Sequence, residues 1–188
     1  LDFPAYEPEQ IYHNVLKHDW TKYIDVEQTL AVDATVRDSK IRDLRIVTLK
    51  AKDAIVDQFR DKFGVRPDVD TVDADLQVSI RLVKNQCTVS LNTSGSSLHE
   101  RGYRLNAVEA PLKENLAAAL VRMTKWDRKK PLVDPFCGSG TICIEAAFWA
   151  ANIPVGIHRR RFAFQRLKTF KKEAYDKVVE EIGARPEI

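Results

Sequence analysis

The chain has 188 residues, of which 44% are hydrophobic and 30% are charged, and this balance excludes a wholly disordered protein. Its seven glycines and eight prolines exclude a collagen-like or linker protein, and no apolar run approaches the roughly 20 residues that span a bilayer. The net charge of +3 is uneven, because residues 1–119 carry 16 Lys and Arg against 19 Asp and Glu, whereas residues 120–188 carry 14 against 8. This basic second part favours a polyanionic partner.

Cysteine and histidine usage bounds the environment of the protein. The three cysteines form no Cys-x-x-Cys pair, and their odd number argues against a disulfide framework. The four histidines lack the spacing of zinc ligands. We therefore expect a soluble protein of a reducing compartment, the cytoplasm, with no metal and no membrane partner. We interpret Cys137 and Cys143 as packing residues rather than nucleophiles.

Hydrophobic periodicity predicts a small α/β arrangement in the first part of the chain. In chain order the predicted elements are a helix over Pro8–Trp20, a strand over Thr29–Val36, a helix over Ile41–Phe63, and a hairpin with strands over Leu76–Val83 and Cys87–Leu91. Gly64 should end the long helix, and Lys84 and Asn85 should form the hairpin turn. Two helices would then cover one face of a short sheet.

After the turn-rich stretch Asn92–Ser97 the pattern becomes helical. The predicted elements are helices over Pro111–Trp126, Gly140–Ala151 and Phe164–Ile182, and one short strand over Leu132–Asp134. One strand cannot make a sheet. This part is therefore expected either to pair with another chain or to be a piece of a larger domain.

The segment from Leu132 to Ala147 carries the chemistry. It reads as a strand ending in Asp134, a turn with Gly138 and Gly140, and a helix, which is the arrangement with which α/β folds bind nucleotides. A phosphate-binding P-loop would need a lysine that is absent here, and a dinucleotide site would need a third glycine where Cys143 stands. An adenosine-type ligand without a pyrophosphate remains, and a tight turn with no ligand is the alternative.

The string Asp-Pro-Phe-Cys-Gly-Ser-Gly-Thr, residues 134–141, followed by Ile-Cys-Ile-Glu-Ala-Ala, resembles the S-adenosylmethionine motif of amino-group methyltransferases. Ser-Leu-His-Glu-Arg-Gly-Tyr-Arg at 97–104, Ala-Pro-Leu-Lys-Glu-Asn-Leu at 110–116 and Gly-Ile-His-Arg-Arg-Arg-Phe-Ala-Phe at 156–164 resemble THUMP-containing RNA methyltransferases. Within that group, the sequence is most similar to the bacterial 23S ribosomal RNA guanine-N2 methyltransferases.

This resemblance implies a THUMP-like α/β domain over residues 1–95, a link over 96–110, and the first part of a Rossmann-like methyltransferase domain over 111–188. It also implies S-adenosylmethionine as cofactor and RNA, in particular 23S ribosomal RNA, as partner. The implied cofactor-binding residues are Asp134, Pro135, Phe136, Cys137, Gly138, Gly140 and Thr141.

The sequence also departs from the family pattern. The resemblance implies a ferredoxin-like domain before THUMP, a second strand whose terminal acid binds the cofactor ribose, and an Asn-Pro-Pro-Tyr-type loop that holds the target amine. None of these is found in the 188 residues. We therefore expect a piece of a longer enzyme that is inactive alone, and we name no catalytic residue.

Two basic clusters are candidate RNA contacts, because arginine binds phosphate and tyrosine can stack on a base. The first is Arg101, Tyr103 and Arg104 near the predicted domain junction, for which a purely hydrogen-bonding junction is the alternative. The second is Arg37 and Lys40, close to the start of the long helix, for which a solvated turn is the alternative. A third basic stretch, 159–161 with lysines 168, 171 and 172, could attract a polyanion or simply be solvated.

Three functions remain in competition at this point. The first is part of an enzyme that methylates a base amine of ribosomal RNA. The second is an RNA-binding module without catalysis, and the third is an N6-adenine methyltransferase, since DNA enzymes share the string at 134–141. The THUMP-like first part argues against the DNA enzyme.

Overall fold

The computed structural model describes residues 1–104, 111–154, 156, 159 and 161–183. The chain divides into two compact units. The first unit contains Leu1–Gly95 and Phe162–Phe170, and the second contains Ser96–Arg161 and Lys171–Ile188. The segment 162–170, placed in the second domain on sequence grounds, therefore belongs to the first unit by its contacts.

The first unit is built on a five-stranded sheet. Its strands are β1 (Asp2–Pro4), β2 (Thr29–Arg37), β3 (Asp68–Val69), β4 (Leu76–Val83) and β5 (Gln86–Leu91), and its helices are α1 (Pro8–Leu16) and α2 (Leu44–Phe63). The strand order is β1-β5-β4-β2-β3. Strand β2 runs parallel to β3 and β4, whereas β5 runs antiparallel to β4 and β1.

The β4–β5 hairpin follows from alternation and turn chemistry. The four inward side chains of β4 are each at most 1% exposed: Leu76, Val78, Ile80 and Leu82. At the turn, Lys84 and Asn85 have φ of 50° and 62°. A two-residue hairpin turn with both central φ angles positive matches the twist of the strands. The structure confirms this predicted hairpin.

Helix α2 confirms the predicted glycine stop but begins three residues later than predicted. The Asp43 carboxylate accepts the backbone N–H of Arg45 at 2.8 Å, which fixes the start. At the other end Gly64 has φ of 76° and donates its N–H to the Arg60 carbonyl at 2.8 Å. The buried stripe runs through Val47, Ala51, Ala54, Ile55, Val56 and Phe59.

Helix α1 ends earlier than predicted because a second cap intervenes. The Asp19 carboxylate accepts the N–H of Thr21 at 3.1 Å and starts a 3-10 turn over Trp20–Lys22. Trp20 is 2% exposed and donates its indole N–H to the Val15 carbonyl at 2.8 Å. The tryptophan therefore closes the core beside the helix instead of extending it.

The edge strands β1 and β3 were not predicted. They have three and two residues, too few to show a period of two. Each exists because it pairs with a longer strand, β5 for the first and β2 for the second. Such pairing is a tertiary property that local sequence does not encode.

The described part of the second unit is helical. Its helices are α3 (Glu114–Met123), α4 (Thr141–Ala150) and α5 (Lys172–Gly183). The predicted strand over Leu132–Asp134 is wrong, since these residues have no regular secondary structure. A strand needs a neighbour for its backbone hydrogen bonds, and the described residues of this unit include no strand.

The predicted helix over Phe164–Ile182 is also wrong in its first part, which is a 3-10 turn over Ala163–Arg166 followed by an irregular stretch. Here the chain is held by the first unit rather than by its own helix. Lys168 donates its backbone N–H to the Tyr23 carbonyl at 2.8 Å, and Leu167 is 9% exposed within the first unit's core. None of the described helices is long and apolar enough to cross a membrane.

Candidate functional site

The loop from Asp134 to Thr141, here called the glycine loop, is a chain of tight turns. The Asp134 carboxylate accepts the backbone N–H of Phe136 at 3.1 Å and so starts the first turn. The Gly140 N–H then donates to the Cys137 carbonyl at 2.7 Å. Gly138 and Gly140 have φ of 52° and 76°, a region that favours glycine. Asp134 therefore orders the first turn of the loop.

The space beside both glycines is open. A Cβ atom built on Gly138 would meet no atom within 4 Å, and one on Gly140 would meet only Ile144 Cδ1 at 3.9 Å. Internal packing therefore does not require glycine at either position. Pro135, Phe136 and Cys137 are exposed, and Phe136 is 92% exposed. The loop thus presents bare backbone to its surroundings.

The loop ends at the start of α4. Gly140 occupies the cap position and offers no side-chain acceptor to the first-turn N–H groups. Uncapped N–H groups at a helix start attract lone pairs and negative charge. The loop and the helix start together offer backbone N–H groups from which a ligand's oxygen or nitrogen atoms could accept hydrogen bonds.

A partly buried arginine, Arg104, fixes the end of the glycine loop. Arg104 Nη2 donates to Thr141 Oγ1 and to the Leu112 carbonyl, both at 3.1 Å, and lies 3.2 Å from Glu114 Oε1. Thr141 and Glu114 are only 3% and 5% exposed. Because the Thr141 hydroxyl accepts from Arg104, its own hydrogen can point to Ser139 Oγ, 3.1 Å away.

A second buried group lies one turn further along α4. Arg101 pairs with Glu145 through Nε to Oε1 and Nη2 to Oε2, each at 3.3 Å, and Tyr103 donates its hydroxyl to Glu145 Oε1 at 3.1 Å. Arg101 and Glu145 are 7% and 3% exposed. Burial, together with the negative charge of Glu145, raises the pKa of Tyr103 far above its ordinary value.

These contacts bear on the predicted RNA role of Arg101, Tyr103 and Arg104. Each side chain is engaged by groups of its own unit, so these bonds support a hydrogen-bonding role, but one within the second unit rather than at a domain junction. Sequence reasoning missed their buried partners, Glu114 and Glu145. A usable signal was present for Glu145, since it is the single charged residue of an otherwise apolar α4 and needed a cation.

Arg37 and Lys40 lie together in the first unit, at the end of β2. They line an open groove of about 550 Å³ with Val36, Asp38, Ser39, Arg42 and Asn85. The Arg37 side chain is 81% exposed and lies 3.3 Å from Asp38. The Lys40 ammonium lies 5.4 Å from the centre of the Tyr6 ring. The structure thus brings the predicted pair to one accessible surface.

All three cysteines are free thiols. Cys87 is buried, and burial raises its pKa to about 11, so it is unreactive near neutral pH. The interpretation of Cys137 as a packing residue is wrong, because its side chain is exposed in the glycine loop. The described residues contain no group of three or more His, Cys, Asp or Glu side chains that could hold a metal ion.

Both parts of the chain match known protein families. Residues 5–92 match the THUMP domain, and residues 101–184 match the RMKL-like methyltransferase domain. A ribosomal RNA large subunit methyltransferase K/L from Syntrophotalea carbinolica is 42% identical over 190 residues, which cover 99% of this chain and 27% of that protein. The chain thus spans about a quarter of the length of the curated relatives it matches.

Two solved structures resemble the chain throughout. SMU.472, crystallised in complex with SAH, is 34% identical with a TM-score of 0.83, and the match covers 97% of this chain and 48% of that one. A "predicted N6-adenine-specific DNA methylase" from Listeria monocytogenes is 28% identical with a TM-score of 0.87 and the same coverage. Fold and loop together define a THUMP domain joined to a segment of a Rossmann-like methyltransferase domain, as predicted. The chain belongs to the family of THUMP-domain proteins that carry an RMKL-like methyltransferase domain.

Proposed function

We propose that this chain is the RNA-recognising and cofactor-cradling part of an S-adenosylmethionine-dependent methyltransferase. The observation that carries the proposal is the glycine loop, where two left-handed glycines leave open space beside bare backbone at an uncapped helix start. The resemblance to a structure that contains SAH supports the same ligand class. The residues that would hold the cofactor are Asp134, Pro135, Phe136, Cys137, Gly138, Gly140 and Thr141.

When bound, S-adenosylmethionine would supply an electrophilic methyl group for transfer to a nitrogen of the base. The chain's own residues act by positioning. Asp134 orders the first turn of the loop, and Arg104 holds Thr141 at its end. Close approach of the ligand to the backbone is possible because no Cβ occupies positions 138 and 140.

We further propose that the acceptor is the N2 amine of a guanosine in 23S ribosomal RNA, encountered in the cytoplasm. The curated relatives are named as large subunit ribosomal RNA methyltransferases, which supports this substrate. In the first unit, the groove lined by Arg37 and Lys40 offers two accessible cations to RNA phosphates. An N6-adenine acceptor is the alternative favoured by the name of the Listeria protein.

The test of the cofactor site is Gly140→Val, followed by calorimetric titration of the 188-residue chain with S-adenosylmethionine. Valine has a branched Cβ and resists a positive φ, so the change both strains the loop and fills the open space. We expect affinity to fall tenfold or more, about 1.4 kcal/mol or above.

Gly64→Val is the matched control, because Gly64 also has φ of 76° and open space around it but lies at the end of α2. It imposes the same backbone strain away from the glycine loop, and cofactor affinity should stay at the wild-type value. Normal affinity in Gly140→Val would show that the loop is only a structural turn, and the cofactor assignment would be wrong.

A further inference from the structure

The segment 122–130 concentrates positive charge. It contains Arg122, Lys125, Arg128, Lys129 and Lys130 against the single acid Asp127, a net charge of +4 where the whole chain has +3. All five cations are exposed. Within the part of the chain that the structure describes, no carboxylate lies within 4 Å of any of them. No described acidic side chain therefore pairs with the cations of this segment.

Two tryptophans contact this segment: one lies against two of the cations, and the other bonds to the backbone of a third. The Trp149 ring lies 5.1 Å from the Arg122 guanidinium and 5.6 Å from that of Arg128, measured to the ring centre. Trp126 packs its edge on Trp149 with the ring centres 6.0 Å apart. Trp126 also donates its indole N–H to the Lys130 carbonyl at 2.7 Å. A guanidinium group that lies on an aromatic ring has already lost part of its conformational freedom, so binding a ligand costs less side-chain entropy.

The backbone of this segment is shaped as well. Lys125 and Arg128 have φ of 58° and 65°, which non-glycine residues adopt only when their surroundings impose it. The Asp127 carboxylate accepts the N–H groups of Lys129 and Lys130 at 3.0 and 3.2 Å. The one acid is thus used to form the turn that displays the cations.

The dipole of α4 does not by itself account for the positive charge of residues 122–130. Trp149 lies in the last turn of α4, where a cation is favourable because the helix end carries about half a negative charge. One arginine suffices for that purpose. A net charge of +4 on nine residues exceeds it several-fold and suits a ligand with repeated negative charges.

Beside the cations is a hollow of about 230 Å³ whose polar and aromatic lining is Arg122, Glu145, Phe148, Trp149 and Asn152, completed by the apolar Ala118, Ile153 and Pro154. It is smaller than the roughly 300 Å³ at which pockets begin to hold drug-sized ligands. Its aromatic walls, guanidinium and amide suit a flat polar group such as one unpaired nucleobase, which proteins hold by stacking and edge hydrogen bonds.

We propose that this surface, comprising residues 122–130 and Trp149, binds the RNA substrate at an unpaired nucleotide, with phosphates on the cations and the base in the hollow. The inference rests on the proposed function and deepens it. Trp149 lies eight residues after Thr141, where the glycine loop ends, which is roughly 12 Å along α4. The RNA would therefore be held at the opposite end of α4 from the cofactor loop.

The experiment is a fluorescence-anisotropy titration of the 188-residue chain against a labelled, unmodified stem–loop transcript of large-subunit ribosomal RNA, at 50 and 200 mM salt. The test variant is Arg128→Ala with Lys129→Ala and Lys130→Ala. The control is Lys171→Ala with Lys172→Ala and Lys177→Ala, which removes the same charge from residues 171–181, a stretch whose four acids, at 173, 176, 180 and 181, offset its lysines. Thermal melting by circular dichroism verifies folding of each variant.

We expect the test variant to bind at least tenfold more weakly and its log–log salt slope to fall by about two, since each lost phosphate contact removes about 0.7–0.9. The α5 control should stay within about threefold of wild type. Equal losses in both variants, or unchanged affinity in the test variant, would overturn the proposal. The same variants are also titrated with phosphatidylserine vesicles. If the test variant loses vesicle binding but keeps its affinity for RNA, the surface binds a membrane and the proposal is wrong. If the wild-type 188-residue protein binds no RNA at all, the proposed function itself is wrong.

Discussion

The two units are stabilised in different ways. The first buries one continuous apolar cluster drawn from both helices and the sheet, and its single buried polar residue is Thr21. The described part of the second unit buries only three apolar residues, Ala117, Val121 and Ala146. Beside them it buries four polar or charged residues, namely Arg101, Glu114, Thr141 and Glu145.

This difference matches what each unit has to do. An apolar core is tolerant of small shifts, because dispersion and hydrophobic burial are non-directional. Buried ion pairs are directional and lose their stabilisation if one partner moves or is removed. The second unit uses them where the end of the glycine loop must be held, and so couples its stability to the geometry of its candidate site.

The largest test of this contrast is Glu145→Ala. It leaves Arg101 buried without its carboxylate, and we expect the second unit to lose about 3–5 kcal/mol. The double variant Arg101→Met with Glu145→Leu should lose much less, because it removes both charges and keeps apolar volume. Hydrogen exchange followed by mass spectrometry, read separately on α4 and β4 peptides, measures each unit. Equal losses in the two variants would show that the ion pair has no special role.

A smaller but substantial effect is expected for Leu167→Ala in the first unit. Leu167 is 9% exposed within the apolar cluster, so its truncation should lower the free energy of unfolding by about 2–3 kcal/mol. Leu49→Ala is the control, since Leu49 is 50% exposed and should change stability by less than about 0.5 kcal/mol. Urea denaturation gives both numbers. If the two variants are equally stable, the return segment contributes nothing to this core.

Arg104→Ala removes a contact to the end of the glycine loop without changing the sequence of the loop. The Thr141 hydroxyl and the Glu114 carboxylate would lose their guanidinium partner, and we expect S-adenosylmethionine affinity to fall about fivefold to tenfold, from about 1 kcal/mol of lost charge-assisted hydrogen bonding. Arg104→Lys should restore part of it. RNA affinity, measured in parallel, should stay within about twofold, and a larger fall in RNA affinity than in cofactor affinity would support the RNA contact predicted from sequence instead.

The smallest expected effect is that of Tyr103→Phe, which removes one hydrogen bond to Glu145, about 1 kcal/mol. Burial raises the pKa of Tyr103, so the folded chain favours the neutral phenol. The contribution is therefore present below the ordinary tyrosine pKa of about 10 and is lost as pH rises beyond it. In a spectrophotometric titration at 295 nm, the variant should lack the last tyrosinate step of the wild type. If the titration curves of the variant and the wild type superimpose, Tyr103 does not have the raised pKa.

Local chemistry made much of the first unit predictable. The caps of α2 and the Lys84–Asn85 turn depend on a few adjacent residues, and the structure confirms Gly64 and the hairpin. The edge strands and the irregular path after Phe164 depend on pairing with distant segments, so periodicity could not find them. In the candidate site the glycines were readable from sequence, whereas the pairing of Arg101 with Glu145 joins residues 44 positions apart.

The return of residues 162–170 to the first unit has a consequence for how the protein is made. Arg166 contacts Asp73 and Lys168 contacts Asp25, so part of the first unit is synthesised after the residues between Gly95 and Phe162. On the ribosome, the sheet can form early, but its last core residue arrives only after most of the second unit has emerged. Closing a loop of this length costs only slightly more than closing a short one, because the entropy grows with the logarithm of length. The order of synthesis, rather than equilibrium stability, therefore makes the completion of the first unit wait for the second.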